Sequence, residues 1–446
     1  MRIEMPGHVE QIIETLGSSG FEAYAVGGCV RDALLGREPG DWDITTSAAP
    51  QEVKRLFPRT VDTGLQHGTV TVLMDHCGYE VTTYRIDGEY EDGRHPKSVE
   101  FTASLTEDLK RRDFTINAMA YSHESGIIDE FGGMEDLKNG IIRCVGCAMD
   151  RFHEDALRIL RAIRFSAQLG FDIEEETQKA ISVIAPNLRK VSMERIQVEI
   201  TKLLVSGHPE AFRKVWETGV SSIVLPEFDA MMECSQNNPY HSITVGEHTL
   251  KMLELIPEGR VLRWAALLHD TGKLSTKKAE DDGREFFPGH AEAGAAAAKD
   301  ILKRFKMDNE TIDRVSRLIR WHAYPFHGDR ICVRKALNLA GDDIFSDLLI
   351  VMEADTKAQS QFEQKQRLDE LCKVRDIYHS IVQDGDCYSL KGLAVNGKDL
   401  IGAGIRPGKH MGALLNRLLE DVIADQKVNN REELMKRAFS YLEAGL

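Results

Sequence analysis

The chain has 446 residues, a formal net charge of −15, 42% hydrophobic and 28% charged residues. At about 100–200 residues per domain, this length predicts two to four globular domains. The acidic total argues against an indiscriminate nucleic-acid binder but leaves room for a locally basic surface. No stretch approaches the roughly 20 apolar residues of a membrane span. The opening MRIEMPGHVEQIIETLG lacks an apolar signal core and predicts a short amphipathic helix, so a cytoplasmic protein is expected. Eight cysteines in a chain this long do not make a disulfide framework. The C-x-x-C of Cys144 and Cys147 has no second pair to complete a zinc ribbon and reads as ordinary reduced residues.

The first ~140 residues alternate short strands and helices. The apolar run Ala23–Val26 leads into Gly27 and Gly28 and then a helical segment. Such a turn brings backbone N–H groups towards phosphates, or is merely a tight strand-to-helix turn. Asp41 and Asp43 follow. Two apart in a strand, they share a face. Their charges repel unless a cation sits between them. Hard carboxylate oxygens suit Mg²⁺ bridging a nucleoside triphosphate, and two such ions serve an attacking hydroxyl and a leaving pyrophosphate. The bland alternative is a pair of solvated turn acids; the Gly-Gly-x-x-Arg-Asp turn upstream favours the metal reading.

Residues 69–74 and 79–85 predict two strands joined by a polar turn containing Gly78. Glu80 is then a third candidate carboxylate or a solvent-facing residue. Residues 86–103 predict a loop, and Ser104 with Glu107 predicts a capping box that opens a helix. From about residue 150 the apolar spacing is helical, at 152–169, 193–205, 295–305 and 365–382. Seams are expected before residue 241 and near 384–392.

The run G-G-x-x-R-D, then G-R, then D-x-D resembles the signature of class II tRNA nucleotidyltransferases and bacterial poly(A) polymerases, in the polymerase-β-like superfamily. The likeness continues through RRDFTINAMA (111–120), FGGMEDLKNGIIRCVG (131–146), RFHEDALRILRAIRFSAQLGF (151–171) and ERIQVEITKLL (194–204). It implies an α+β fold: a nucleotidyltransferase head over 1–142, a helical neck over 143–208, a helical body over 209–362 and a helical tail over 363–446. Asp41 and Asp43 would be catalytic and hold Mg²⁺, with Glu80 as a candidate third catalytic carboxylate. Gly27, Gly28 and Arg31 would line the triphosphate. Arg112, Asp113 and Asn117 would contact sugar or phosphate, with Arg161 and Arg164 also at the nucleotide. The implied activity is addition of C and A to the tRNA 3′ end from CTP and ATP.

The segment HEDALRILR (153–161) also carries a physical reading. Asp155 and Arg158, three apart on a predicted helix, share a face. Asp155 only accepts hydrogen bonds and Arg158 only donates. Cytosine and adenine each offer an amino donor beside a ring-nitrogen acceptor, so both match; guanine and uracil present the reverse order. An isolated pair of this kind is otherwise a surface ion pair worth little. In the resembled family, Glu154, Asp155 and Arg158 are the amino-acid template. Asp87, Tyr90, Arg94 and Pro96 in the 86–103 loop imply that A addition is retained. An enzyme that adds only A, or a poly(A) polymerase, is the nearest alternative.

A second set of residues is spread through helical sequence: His248, His269, Asp270, His290, His322 and Asp355. Histidine and carboxylate ligands suit a divalent transition metal or a mixed dinuclear site, which generates hydroxide for phosphoester hydrolysis. The set, with LLHDTGK as its most specific piece, resembles the HD phosphohydrolase superfamily and implies an HD domain over about 240–357. His248, His269, Asp270 and Asp355 would hold one metal, and His290 and His322 would help hold a second. A structural metal staple is the alternative role. A phosphohydrolase whose head only binds RNA is the alternative of a different class. In the tail, Lys398, Arg406, Lys409, His410 and Arg417 imply either phosphate contacts at the tRNA elbow or a solvated helical face. No membrane and no obligate protein partner are expected.

Overall fold

The computed structural model describes residues 2–88 and 99–444. They form two compact units, Met1–Asp229 and Ala230–Leu446.

The first unit opens with α1 (Gly7–Ser18), whose Val9, Ile12 and Leu16 are buried at helical spacing. Strand β1 (Ala23–Val26) runs into α2 (Gly28–Leu34), and β2 (Ile44–Thr46) into α3 (Pro50–Leu56). Strands β3 (Thr60–Gly64), β4 (Thr69–Met74) and β5 (Cys77–Thr83) follow. A small antiparallel ribbon of β6 (Arg85–Asp87) and β7 (Val99–Phe101) precedes α4 (Leu105–Lys110). The main sheet is completed by β8 (Met119–Ser122) and β9 (Gly126–Asp129), giving the order β3-β4-β5-β2-β1-β8-β9. Strand β2 is therefore central, antiparallel to β1 and parallel to β5. Its three residues are all buried, as central strands require.

Beyond the sheet, α5 (Gly133–Asn139), α6 (Ala148–Glu154), α7 (Leu157–Leu169), α8 (Glu175–Ile184) and α9 (Met193–Leu204) make the helical part of this unit. Helix α7 buries ten of its thirteen residues. Gly170 ends it in a left-handed conformation, and the amides of Gly170 and Phe171 both donate to Ser166 O.

Several local expectations change. Asp41 to Asp43 are not yet strand; β2 begins at Ile44. Their exposure still alternates, with Trp42 buried and both aspartates exposed, so the two carboxylates share a face as a strand would have them. The β4–β5 turn is Asp75-His76, with φ of 45° and 69°, and Gly78 lies inside β5. That register makes a two-residue hairpin of the twist-compatible kind. Gly78 is there because a Cβ would come within 2.9 Å of Thr71 Cγ2 across the ladder. The ends of the 86–103 segment pair as strands β6 and β7 rather than staying loop. Tyr90, Arg94 and Pro96 lie outside the described residues. Ser104 Oγ does accept the Glu107 amide and opens α4.

The helix expected through 152–169 is interrupted. Asp155 has φ −142° and ψ 103°, between α6 and α7. Its Oδ1 accepts the Leu157 amide at 3.0 Å and its carbonyl accepts the Arg158 amide. A short acceptor side chain competes with the helical ladder in this way and starts a new helix instead.

The second unit is helical apart from the short pair Lys278–Ala279 and Glu285–Phe286. Its main helices are Val245–Leu255, Arg260–Leu268, His290–Arg304, Asn309–Trp321, Arg330–Ala340, Asp342–Ala358 and Gln364–Asp384. Beyond Asp384 a separate apolar cluster forms around Leu400, Leu414, Leu418, Val422 and Leu434. No helix of the described residues is long and apolar enough to cross a membrane.

Candidate active site and a second metal centre

Three carboxylates converge on the interior strands β2 and β5 of the main sheet. Val26 N donates to Asp43 O at 3.0 Å, which fixes the Asp41–Asp43 segment against β1. The β2–β5 register sets Ile44 beside Val81, bringing Glu80 next to Asp43. Asp41, Asp43 and Glu80 all line one cleft of about 1310 Å³. Desolvation pushes the Asp43 carboxyl up, Arg112 opposes it, and the Asp41 charge adds to the rise. Desolvation, then Asp43 and Asp41, push Glu80 up as well. Like charges held together with raised proton affinity are the electrostatic mark of a site that a cation relieves. The donor set is all carboxylate oxygen, which fits Mg²⁺ and not a soft metal.

Beside the cleft, Gly27 has φ 84°, and a Cβ there would stand 3.0 Å from Arg112 Nη1. Glycine is needed both for the backbone sign and for this approach. Arg112 is held by the wholly buried Asp108 at 3.4 Å, while its Nε has no hydrogen-bond partner among the described residues. Asp108 also receives Thr45 Oγ1 at 3.1 Å, tying α4 to β2.

Arg31, Asn117, Asp113 and Arg161 form one chain of contacts. Arg31 Nη1 donates to Asn117 Oδ1 at 2.6 Å, and Asn117 Nδ2 to Asp113 Oδ1 at 3.1 Å. Arg161 Nη2 meets Asp113 Oδ2 at 2.6 Å. Burial opposes ionisation of Asp113. Arg161 and Arg158 outweigh it and hold the carboxyl well below the usual range. Arg164 turns to Glu199 Oε2 at 2.5 Å and lies over the Phe165 ring at 3.8 Å. Arg31 and Arg161 face the same ring at 4.9 and 5.4 Å. Phe165, absent from the sequence reading, thus organises three of the proposed nucleotide arginines. Its position four residues after Arg161 was the available signal.

Asp155 and Arg158 are each anchored, but not to one another. Arg158 Nη1 meets Glu154 Oε2 at 2.6 Å, and its Nη2 donates to Arg111 O at 3.1 Å. Asp155 is instead gripped by Arg195, Nη2 to Oδ2 at 2.7 Å. Arg195 was also missed, although it sits in the matched segment ERIQVEITKLL.

Known proteins resemble this chain. Residues 23–143 match the poly A polymerase head domain, residues 170–232 the "Probable RNA and SrmB- binding site of polymerase A", and residues 289–438 tRNA nucleotidyltransferase domain 2. The CCA-adding enzyme of Lactiplantibacillus plantarum is 37% identical over 428 residues, spanning 95% of this chain and 93% of its own. This chain belongs to the CCA-adding enzyme family. That of Bacillus velezensis is 38% identical over 95% of both chains. The solved Bacillus stearothermophilus CCA-adding enzyme in complex with CTP is 33% identical, with a TM-score of 0.73 over 99% of this chain and 100% of that one.

This member of the CCA-adding family carries a second cluster, in the unit Ala230–Leu446. His248, His269 and Asp270 bring ligand atoms within 4.8 Å of one another, and so do Asp270, His290 and His322. Asp270 is common to both triads. Asp355 Oδ1 lies 2.9 Å from His248 Nε2 and 4.0 Å from His269 Nε2. All six residues read from the sequence are therefore brought together. His269, His290 and His322 each direct Nδ1 at a backbone carbonyl, of Ala266, Phe287 and Ile319, at 2.8, 2.9 and 2.6 Å. That fixes the tautomer and turns Nε2 towards Asp270, the usual preparation of a metal-binding histidine. His269 Nε2 is buried without a hydrogen-bond partner among the described residues. Burial is the main cause that brings His322 down to about 4, in keeping with the neutral imidazole that a metal requires. The residues fit a transition metal. Asp270, His290, His322 and Asp355 face a cavity of about 640 Å³ also lined by Lys273, Arg367, Phe287 and Tyr324. His241, left out of the sequence set, borders it too, its ring 4.9 Å from that of His248.

Proposed function

We propose that this chain adds C, C and A to the 3′ end of tRNA, taking CTP and ATP and choosing the base with protein side chains. The convergence of Asp41, Asp43 and Glu80 on one cleft carries the reading, and membership of the CCA-adding family supports it. Asp41 and Asp43, with Glu80, would hold Mg²⁺. When bound, Mg²⁺ supplies activation of the terminal hydroxyl and charge relief at the leaving pyrophosphate. Arg112 and Arg31, fixed by Asp108 and Asn117, would meet the triphosphate charge. Asp155 accepts from the exocyclic amino group, and Arg158 donates to the adjacent ring nitrogen. Guanine or uracil would leave both groups facing their own kind, at about 1–3 kcal/mol for each unsatisfied partner. The direct test is incorporation of labelled CTP and ATP into tRNA lacking its CCA end, with Asp43→Asn beside the unaltered chain. Loss of incorporation in the variant is expected; normal turnover overturns the reading.

A second activity, in the unit Ala230–Leu446, is supported by the inward-turned Nε2 atoms of His269, His290 and His322. We propose an HD-type metal centre there that hydrolyses phosphoesters on nucleotide ends. His248, His269, Asp270 and Asp355 would hold one ion, with His290 and His322 helping to hold another. When bound, the metal would supply activation of water for attack on the phosphoester. Lys273, whose Nζ is 2.6 Å from Asp270 Oδ2, and Arg367 bring positive charge to the same cavity. Release of phosphate from nucleoside monophosphates or opening of 2′,3′-cyclic phosphates, dependent on added transition metal and lost in Asp270→Ala, tests it. Absence of both with every divalent metal would reduce the centre to a structural staple.

A further inference from the structure

Asp155 sits in extended backbone between two helices, where nothing in the helical ladder fixes its side chain. Its orientation comes from elsewhere. Arg195 on α9 places Nη2 2.7 Å from Oδ2 and Nη1 3.4 Å from Oδ1. The Leu157 amide occupies Oδ1 as well, at 3.0 Å. Arg158 takes no part: it is bound to Glu154 and to the carbonyls of Arg151 and Arg111.

We propose that Arg195 is a positioning residue for base choice, fixing the plane of the Asp155 carboxylate so that its remaining lone pair meets an exocyclic amino group. The proposal rests on the reading of Asp155 as the acceptor that recognises cytosine and adenine. An ionised carboxylate has about four acceptor sites. The Leu157 amide and the two arms of Arg195 engage three of them. One direction is left, and it is set by a fork whose geometry is rigid.

The two halves of the base reader are consequently anchored by different elements, Asp155 from α9 and Arg158 from α6 and the segment at Arg111. Loosening Arg195 frees the acceptor without touching the donor. Preference for C over U and for A over G then falls, because the amino-against-carbonyl distinction is the one Asp155 makes. A lysine in place of Arg195 keeps the charge but loses the fork.

The experiment measures kcat/KM for CTP, UTP, ATP and GTP with the full chain, on tRNA ending before CCA for the pyrimidines and in CC for the purines. The variants are Arg195→Met, Arg195→Lys and Asp155→Ala, each checked by thermal unfolding. Arg195→Met is expected to lower the CTP:UTP and ATP:GTP ratios by about tenfold or more, one unsatisfied partner's worth. Arg195→Lys should fall between it and the unaltered chain. If Arg195→Met does not fold, the ratio in Arg195→Lys decides. A purely structural ion pair would lower all four values together and leave the ratios alone, which overturns the proposal. If Asp155→Ala loses the ratios and both Arg195 variants keep them, the proposal falls and the reading of Asp155 stands. If Asp155→Ala keeps them, both fall.

Discussion

Arg158 closes on Glu154 at 2.6 Å rather than on Asp155. Glu154 is the last residue of α6 and Arg158 the second of α7, so the pair spans the break at Asp155. The guanidinium keeps its plane from Glu154 and from two backbone carbonyls and leaves Asp155 to Arg195. Arg158→Ala should therefore lose base choice while leaving the carboxylate cleft intact. Discrimination against UTP and GTP should drop roughly 10- to 100-fold, as for about 1–3 kcal/mol of lost pairing. Competitive incorporation of the four nucleotides reads this directly; unchanged rejection of GTP and UTP contradicts it.

Asp43 is pushed up by desolvation and by Asp41, with Arg112 opposing. A bound cation favours the ionised carboxylate, so Mg²⁺ and protons compete for the site. The acid limb of the pH–rate profile should move to lower pH as Mg²⁺ is raised. Asp41→Ala and Asp43→Ala should each reduce turnover by at least about a thousandfold, on the order of the loss of one main charge-stabilising element. An acid limb indifferent to Mg²⁺ would place the titration elsewhere.

Asp113 titrates on the opposite side. Burial opposes its ionisation, but Arg161 and Arg158 together with hydrogen bonds from Arg161 and Asn117 hold the folded carboxyl well below its unfolded value of about 4. A group depressed on folding stabilises the native state above its unfolded pKa, and that stability is lost as pH falls through the folded value. Urea unfolding should show this loss below about pH 4. Asp113→Asn should be less stable at pH 7 by about 1–3 kcal/mol and show a shallower acid slope. An unchanged slope would remove Asp113 as its source.

The histidine cluster makes a compositional prediction. Purified protein grown with transition metals should carry metal, and Asp270→Ala, which removes the carboxylate shared by both triads, should lose most of it. Nucleotide addition depends on residues of the other unit and should persist. Metal content measured by elemental analysis, equal in both proteins, would contradict the assignment.

Much of the site was legible because its chemistry is local in sequence. Asp41 and Asp43 share a face whether or not the strand has begun, since extended backbone alternates before any ladder forms. The clustering of the six histidine and aspartate residues was legible through residue type and order, although they come from five helical segments and their junctions. What was hidden depends on long-range partners. Arg195 lies 40 residues from Asp155, and nothing in ERIQ marks which carboxylate its arginine meets. Phe165 is buried in the core, yet its ring also seats three guanidinium groups. The break at Asp155 was hidden by the apolar spacing of 152–169. That spacing continues across the interruption because α6 and α7 both bury the same kinds of residue.

The central claim is tested most directly by product length. A tRNA transcript ending before CCA and another ending in CC are each incubated with CTP and ATP, separately and together. The account predicts three added residues, C, C and A, on the first and a single A on the second, with no further growth. Addition of A only to the CC-ended transcript, or long A tracts on either, would contradict it.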